Sequence, residues 1–284
     1  MRPPSATSSD DPAQSRLTTG RMYTALVWAG MRRYATYRQS LLAATFTNSV
    51  FGYLRCFVIL SAAAGAGRVV SGYTPDRLAT YVWAGQGLIG TVLLWQPPDL
   101  ADRIRSGDVV TDLLRPVDPV WHELATNVGQ AVYQSLTRFA VPVLVGALTF
   151  DLYAPRNAVT YPLFAVSVVL AMLVCFGCRY LVAACTYWTL DVRGPNILWA
   201  VISMALTGLS FPLWFLPDAL AVGIVVGTPF GSIIQVPLDV LTERGSLTDH
   251  LGLVCVQGMW AAVMIGAARW VQRRAERRLV IQGG

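Results

Sequence analysis

The stretch Pro97–Pro119 reads PPDLADRIRSGDVVTDLLRPVDP and decides the fold, because it places a compact charged segment between two long apolar segments. The whole chain has 284 residues, of which 54% are hydrophobic and 13% are charged. That charged fraction is about half of what a typical soluble domain carries. Several apolar runs reach the roughly 20 residues that a helix needs to cross a hydrocarbon core. We therefore expect one all-α, multi-pass membrane domain with a structured insert on one face.

The insert carries the start and stop signals of two short helices. Asp99 follows a proline and is typical of an N-cap, and Asp102 places a negative charge in the first turn. Gly107 is typical of a helix end. Asp108 then predicts the cap of a second helix, which Pro116 ends. We expect two short helices that project from the ends of two membrane spans.

Six apolar segments, separated by turn signals, predict six membrane-spanning helices. Their predicted bounds are residues 41–64, 78–96, 121–150, 161–188, 196–215 and 251–271. Residues 21–39 mix apolar residues with arginines and predict an amphipathic helix at the membrane interface. Residues 1–20 are rich in Ser, Thr, Pro and Asp and are expected to form a disordered cytoplasmic tail. Residues 40–284 then form the transmembrane domain, with the insert at 97–119.

The positions of the arginines predict how the chain is oriented in the membrane. All 22 Lys or Arg positions are arginines. Most lie in the N-terminal segment, the insert, the turn after span four and the C-terminal end. Because basic loop residues are retained in the cytoplasm, we expect both termini and the insert to be cytoplasmic. The missing lysines also exclude a P-loop lysine, so no nucleotide site is expected in this chain.

Residues 216–250 do not fit a simple loop, because they are largely apolar yet contain three prolines. Asp218 predicts the start of a half-helix that ends near Gly227, too short to span the membrane. Thr228 and Pro229 predict the start of another short helix. We expect two re-entrant elements that dip into the outer leaflet; a broken seventh span is the alternative, and it would move the arginine-rich C-terminus outside. The residues expected to shape this outer segment are Gly223, Gly227, Pro229, Gly231 and Pro237.

Three arginines fall inside predicted spans, namely Arg55, Arg138 and Arg179. On insertion scales each would cost about 2.5 to 3.5 kcal/mol at a helix centre. One interpretation is that they line a wet translocation path that favours an anionic or amphipathic substrate. The other is that they reach the interface or bind backbone carbonyls. Both interpretations stay open here, and Arg138 is the hardest of the three to place at the interface.

The segment IRSGDVVTDLLRPVDP, residues 104–119, resembles the hallmark insert of bacterial ABC-2 type exporter permeases of the six-helix class. The arginine-rich interfacial helix, the six spans and the proline-rich outer segment also resemble that family. The resemblance implies that the insert is a coupling helix seated in a cleft of a separate ATPase subunit. The residues that would contact the ATPase are then Asp99, Asp102, Arg103, Arg105, Gly107, Asp108, Leu113, Leu114, Arg115 and Pro116.

The same resemblance implies a permease subunit of an ATP-driven exporter in the cytoplasmic membrane. Its partners would be two ATPase copies, a second permease that is identical or homologous, and membrane lipid, but no nucleic acid. ATP and Mg would belong to the ATPase, with no cofactor and no metal in this chain. The alternative is a stand-alone channel or secondary transporter, which predicts acidic residues or broken helices at mid-membrane depth. An intramembrane enzyme finds no support, since H-E-x-x-H and G-x-S-x-G are both missing.

Overall fold

The computed structural model describes residues 12–35, 38–65, 69–109, 118–189 and 191–282. In this part of the chain all regular elements are helical, and the bridge between Val70 and Tyr73 is isolated. A π-helical turn, Ser135–Phe139, joins α5 to α6, and a 3-10 turn, Leu213–Phe215, precedes α10. The helices are α1 Pro12–Ala35, α2 Arg38–Gly65, α3 Pro75–Thr91, α4 Leu100–Ser106, α5 Pro119–Gln134, α6 Ala140–Thr149, α7 Thr160–Ala184, α8 Thr186–Thr189, α9 Arg193–Leu206, α10 Asp218–Val225, α11 Gln235–Leu241 and α12 Leu247–Gln282.

By length and composition, four stretches of the described chain are able to cross a membrane. They are Phe46–Gly65, Pro119–Thr149, Thr160–Thr189 and Leu247–Arg277. These match predicted spans one, three, four and six. Predicted spans two and five correspond to α3, with 17 residues, and α9, with 14 residues. The chain is thus an all-helical, multi-pass membrane protein in its described part.

The second predicted span ends earlier than the apolar pattern indicates. α3 stops at Thr91 instead of Gln96, because Leu93 adopts a left-handed φ of 58°. A β-carbon makes this conformation unfavourable, so a residue that adopts it ends a right-handed helix. Residues 92–98 consequently form an irregular connection to α4, which we call the α3–α4 linker.

The N-terminal helix begins at Pro12, inside the segment predicted to be disordered. That prediction is therefore wrong for residues 12–20, while residues 1–11 lie outside the described part. Proline is compatible with a first helical turn, because its missing N–H has no intrahelical partner there. α1 packs along α5. A Cβ at Gly30 would overlap the carbonyl oxygen of Thr126, and one at Gly129 would overlap that of Val27, so two glycines permit this close approach.

α3 is the inner helix of the bundle, since most of its residues are buried. Its Trp83 is fully buried between two glycines from neighbouring helices. A Cβ at Gly52 of α2 would lie 2.8 Å from the Trp83 ring, and one at Gly146 of α6 would overlap the ring. Tyr53 contributes an edge-to-face contact with ring centroids 5.0 Å apart. Glycines on the two outer helices thus make room for the largest side chain of the inner one.

The outer segment agrees in part with its prediction. α10 begins at Asp218, as predicted, and ends at Val225. The predicted helix start at Thr228 and Pro229 is wrong, because the next helix begins at Gln235. The Thr228 hydroxyl instead donates to the Ile224 carbonyl over 2.6 Å and so closes the end of α10.

The glycines and prolines of this segment have different surroundings. A Cβ at Gly231 would lie 2.6 Å from Cα of Val225, so a turn packs tightly on α10 there. A Cβ at Gly227 would meet the Gly223 carbonyl at 2.5 Å, whereas the space beside Gly223 is open within 4 Å. Pro237 lies in the first turn of α11, where it removes no intrahelical hydrogen bond.

Candidate functional site

α4 is the described helix of the predicted insert. It spans Leu100–Ser106 and ends, as predicted, at Gly107, whose φ of 83° is left-handed. Asp99 occupies the N-cap position, but its side chain makes no capping hydrogen bond. Most of the predicted second helix lies outside the described residues. The predicted ATPase contacts in that undescribed part are Leu113, Leu114, Arg115 and Pro116.

The apolar face of α4 lies against α7 and the short helix α8, in a buried cluster that also contains residues of α5 and α12. The cluster consists of Leu100, Ala101, Ile104, Val109, Val120, Leu124, Phe176, Tyr180, Ala183, Ala184 and Ala268. The surface that α4 leaves free is polar, and Arg103 is half-buried at its margin. The exposed residues on and just after α4 are Asp102, Arg105, Ser106, Gly107 and Asp108. α4 is therefore firmly attached to the spans and presents charges outward.

Both ends of the insert are paired with arginines from the two terminal helices. Asp99 forms an ion pair with Arg33 of α1. Asp118 caps α5 by accepting from the Val120 N–H over 3.0 Å, and its Oδ2 lies 3.2 Å from Nη2 of Arg269 on α12. Such exposed pairs contribute about 0 to 1 kcal/mol. These pairs link the two ends of the insert to the terminal helices and add little to the stability of the fold.

The α3–α4 linker is held by hydrogen bonds from two spans to its backbone. Nη1 of Arg179, on α7, donates to the Gln96 carbonyl. Nε1 of Trp199, on α9, donates to the Leu94 carbonyl over 2.8 Å. A cavity of about 80 Å³ lies beside the linker. It is lined by Trp95, Gln96, Pro97, Pro98, Arg179, Val182, Asn196, Trp199 and Ala200.

Arg179 is only 2% exposed and is bound on several sides. Its Nη2 donates to Oδ1 of Asn127 over 2.8 Å. The Asn127 amide in turn donates to the Glu123 carbonyl at 3.0 Å and to its Oε1 at 3.4 Å. Asn127 thus bridges the buried cation and a buried carboxylate. With the Gln96 carbonyl as a further acceptor, Arg179 follows the second interpretation, in which an intramembrane arginine binds backbone.

The structure places the other two intramembrane arginines on different elements. Arg55 of α2 donates from Nη1 to the Leu209 carbonyl over 3.3 Å, so it too binds backbone. Arg138 lies in the π-helical turn and is half-buried. Its Cβ and Cδ would each lie 3.0 Å from a Cβ at Gly90 of α3, and it has no hydrogen bond or ion pair with any described residue. The three arginines therefore do not form one cluster.

A polar stripe along α5 was missed in the sequence. It consists of residues separated by four, three, four and four positions, which places them on one helix face. The first four are buried. The stripe residues are Glu123, Asn127, Gln130, Gln134 and Arg138. The signal was available, because polar residues recurred with helical spacing inside a segment interpreted as a membrane span.

A buried acidic residue that contacts Tyr73, just before α3, was also missed in the sequence. Asp239 of α11 is fully buried and accepts three hydrogen bonds. Its donors are the Tyr73 hydroxyl, Nε1 of Trp214 at 2.6 Å and Nε2 of Gln235 at 2.8 Å. The Arg244 guanidinium stacks 4.3 Å from the Trp214 ring centroid. Because these donors satisfy its carboxylate, Asp239 joins the segments around α3, α10 and α11 into one polar network.

Glu243, in the turn after α11, organises the loop before α7. Its carboxylate accepts from the Tyr153 hydroxyl, the Asn157 N–H at 2.9 Å and the Thr160 hydroxyl at 2.7 Å. Partial burial raises the pKa of Glu243, but these hydrogen bonds together with one from the Arg156 N–H outweigh it and lower the pKa to about 2. Glu243 is therefore charged at neutral pH and holds this loop in place by hydrogen bonds.

These features define a multi-pass membrane protein that is all-helical in its described residues and carries a charged insert between α3 and α5. The family model described as "ABC-2 family transporter protein" matches residues 46–283, so the chain belongs to the ABC-2 transporter family. This match confirms the resemblance inferred from the insert. No curated protein and no solved structure matches the chain.

Proposed function

We propose that this chain is the membrane permease subunit of an ATP-driven exporter in the cytoplasmic membrane. Six spans with both termini and the insert in the cytoplasm fit the arginine distribution. In this topology α3 forms the second span, and at 17 residues it would be about 25 Å long. α9 and the irregular residues up to 215 form the fifth span. α10 and α11 then lie at the outer leaflet as re-entrant elements.

The insert is proposed to receive force from a separate ABC ATPase, in keeping with membership in the family. The observation that carries this proposal is the double attachment of α4. Its apolar face belongs to one buried cluster with residues of α5, α7 and α12, while the linker before it is held by α7 and α9. A push on the charged outer surface of α4 would therefore reach four helices at once. In this proposal ATP and Mg bind the ATPase, and the permease contains neither a catalytic residue nor a cofactor.

We further propose that two ATPase copies act on two permeases, this chain and an identical or homologous second one. Apolar side chains that are exposed on this chain support a partner or lipid at these faces. On α2 they include Phe46, Leu54 and Val58, and on the α5–α6 helix Leu136, Leu144 and Leu148. A translocation path between two such subunits would be closed off from lipid, which a single chain with these faces exposed does not achieve.

The coupling proposal is tested by co-purification of the permease with an ATPase encoded beside it. Arg105→Glu reverses a charge on the exposed surface of α4, and Leu113→Asp with Leu114→Asp disrupts the apolar part of the predicted contact. Both variants are expected to lose the ATPase. Arg156→Gln, which changes an exposed arginine in the loop before α7 without adding a negative charge beside Glu243, is the control and should retain it. Retention of the ATPase by both insert variants would refute the assignment of the insert.

A further inference from the structure

The C-terminal helix α12 is longer than the hydrocarbon core of a membrane is thick. It spans Leu247–Gln282, and its 36 residues would be about 54 Å long, whereas the core is about 30 Å thick. Counted from the exposed Leu251, about 20 residues or roughly 30 Å of helix lead to Trp270, which is 64% exposed. Tryptophan is enriched where hydrocarbon meets the headgroups. Trp270 therefore marks the depth at which α12 leaves the hydrocarbon core.

One face of α12 changes from apolar to basic at this depth. The face is defined by helical spacing, since positions three, four or seven apart lie on the same side of a helix. Above Trp270 it carries Met259, 50% exposed, and Val263, 46% exposed. Below Trp270 its exposed residues are Arg273, Arg274 and Arg277. Among the described residues, no carboxylate forms an ion pair with any of these three arginines.

The opposite face of α12 stays buried from the membrane into the arginine segment. Its buried residues are Gln257, Ala261, Ala268, Gln272 and Ala275. Ala268 belongs to the buried cluster that also contains the apolar residues of α4. The insert, which is the proposed contact of the ATPase, therefore lies on the other side of α12 from the three arginines. The arginines instead continue the face that is exposed to lipid.

The side chains of these arginines extend back towards the membrane. Along the axis, Arg273 and Arg274 lie about 4 to 6 Å beyond Trp270, and Arg277 lies about 10 Å beyond it. The headgroup region adds about 5 to 8 Å on each side of the hydrocarbon core. Helical side chains point towards the helix N-terminus, which in α12 is the direction of the membrane. The Arg274 guanidinium accordingly lies 5.9 Å from the centroid of the Trp270 ring. All three positive charges thus lie within reach of lipid phosphates.

Three arginines at headgroup depth, on a lipid-exposed face, are complementary to anionic phospholipids, because guanidinium groups form charge-assisted hydrogen bonds with phosphate oxygens. We propose that Arg273, Arg274 and Arg277 form a binding site for anionic phospholipid headgroups. In the proposed topology this site lies in the cytoplasmic leaflet. It requires neither an ATPase nor a transported substrate, so it goes beyond the proposed export function and is testable without it.

Binding is measured by fluorescence anisotropy on the purified permease in a neutral maltoside detergent at low salt, without an ATPase. The probe is phosphatidylglycerol with a fluorophore on one acyl chain. One arginine near an anionic lipid surface contributes roughly fivefold to binding. The double variant Arg273→Gln/Arg277→Gln should therefore bind the probe about tenfold or more weakly. Replacement of both residues by lysine should keep most of the affinity, because the charges remain.

The matched control is Arg156→Gln/Arg193→Gln, which removes the same charge from two exposed positions elsewhere in the chain. It should bind the probe as the wild type does. The single variants Arg273→Gln and Arg277→Gln provide a second test, in which each should weaken binding roughly fivefold. Equal binding by the wild type and the double variant Arg273→Gln/Arg277→Gln would overturn the proposal.

Competitors establish what the arginines recognise. Unlabelled phosphatidylglycerol should displace the probe at much lower concentrations than phosphatidylcholine or inorganic phosphate. Equally effective displacement by phosphatidylcholine would refute selectivity for anionic lipids. Displacement by inorganic phosphate at the concentrations that suffice for phosphatidylglycerol would refute a lipid site, since phosphate has no acyl chains. Added sodium chloride should weaken probe binding, because salt screens charges at the surface.

Co-purification with the ATPase distinguishes a lipid from a protein as the partner of this face. The double variant Arg273→Gln/Arg277→Gln should retain the ATPase while it loses affinity for phosphatidylglycerol. Loss of the ATPase with unchanged lipid binding would overturn the proposal and assign the face to the ATPase. If no ATPase associates with the wild type, the proposed function fails, and the lipid titration still decides the role of the arginines.

Discussion

Nε1 of Trp199 lies 2.8 Å from the backbone oxygen of Leu94, although 105 positions separate the two residues in the chain. This hydrogen bond ties the ninth helix to the irregular linker through which α3 continues into α4. Arg179 holds the same linker from α7 by its bond to the Gln96 carbonyl. The linker is thus the point where the insert, α7 and α9 meet.

Trp199→Phe should separate transport from ATP hydrolysis. The substitution keeps an aromatic ring but removes the donor to the buried Leu94 carbonyl, which costs about 1 to 3 kcal/mol. We expect the ATPase to remain bound and active while the amount of substrate moved per ATP falls severalfold. Transport and hydrolysis are measured on the same liposomes. Trp270→Phe, at a tryptophan that is 64% exposed, is the control; an unchanged transport-to-hydrolysis ratio in Trp199→Phe would contradict the role of the linker.

Asp239→Ala should destabilise the protein strongly. Its removal leaves the Tyr73 hydroxyl, the Trp214 indole N–H and the Gln235 amide without their acceptor in a fully buried site. Each unsatisfied buried donor costs about 1 to 3 kcal/mol, so the unfolding temperature in detergent should drop by more than for an ordinary surface change. Asp239→Asn keeps one acceptor oxygen and should lie in between. Asp218→Asn, in an exposed first turn, is the control, and a similar unfolding temperature for all three variants would count against the network.

Stability should fall in acid partly through Glu243. Hydrogen bonds lower its pKa from an ordinary value of 4.5 to about 2 in the folded protein. The charged carboxylate therefore stabilises the fold above about pH 4.5, and this contribution is lost as the pH falls towards 2. Glu243→Gln should flatten the dependence of unfolding temperature on pH in that window. Some dependence should remain, because backbone and side-chain hydrogen bonds from Ser246 also lower the pKa of Asp249. A curve identical to that of the wild type would show that Glu243 does not contribute.

The orientation of the chain is open to a labelling experiment in intact cells. Ser106→Cys lies at the end of α4 and Asn157→Cys in the loop before α7, and both positions are exposed. The exposed native thiol of Cys255 is first replaced by serine. A membrane-impermeant maleimide should label only position 157 before lysis and both positions after it. Labelling of position 106 in intact cells would reverse the proposed topology.

Local signals in the sequence predict the elements that depend on neighbouring residues. Gly107 ends α4 because a left-handed residue is needed there, and Asp218 begins α10. The wrongly predicted helix start at Thr228 has a local explanation as well, since its hydroxyl can either cap a following helix or close the preceding one. Composition did not predict the helical residues 12–20, which continue α1 towards its N-terminus. Helix propensity is a weak guide where tertiary contacts determine whether a helix forms.

The residues of the candidate site also differ in whether local sequence signals predict them. The polar stripe from Glu123 to Arg138 follows from spacing alone and was within reach of a period analysis. Asp239 was not, because its donors include Tyr73 and Trp214, which lie 166 and 25 positions away. The hydrogen bonds of Arg55 and Arg179 were likewise out of reach, because their backbone acceptors are distant in the sequence. Sequence patterns identify costly groups in a membrane, but only the fold shows which of them already have partners.

The network around Asp239 has a consequence for how the protein is made. Tyr73, Trp214 and Gln235, its three donors, all come before Asp239 in the chain. Synthesis proceeds from the N-terminus, so the ribosome has delivered every donor by the time that the acid emerges. The carboxylate can then accept hydrogen bonds from donors that have already been synthesised, instead of entering lipid without a partner. The order of residues along the chain thus matches the order in which their partners are needed during biogenesis.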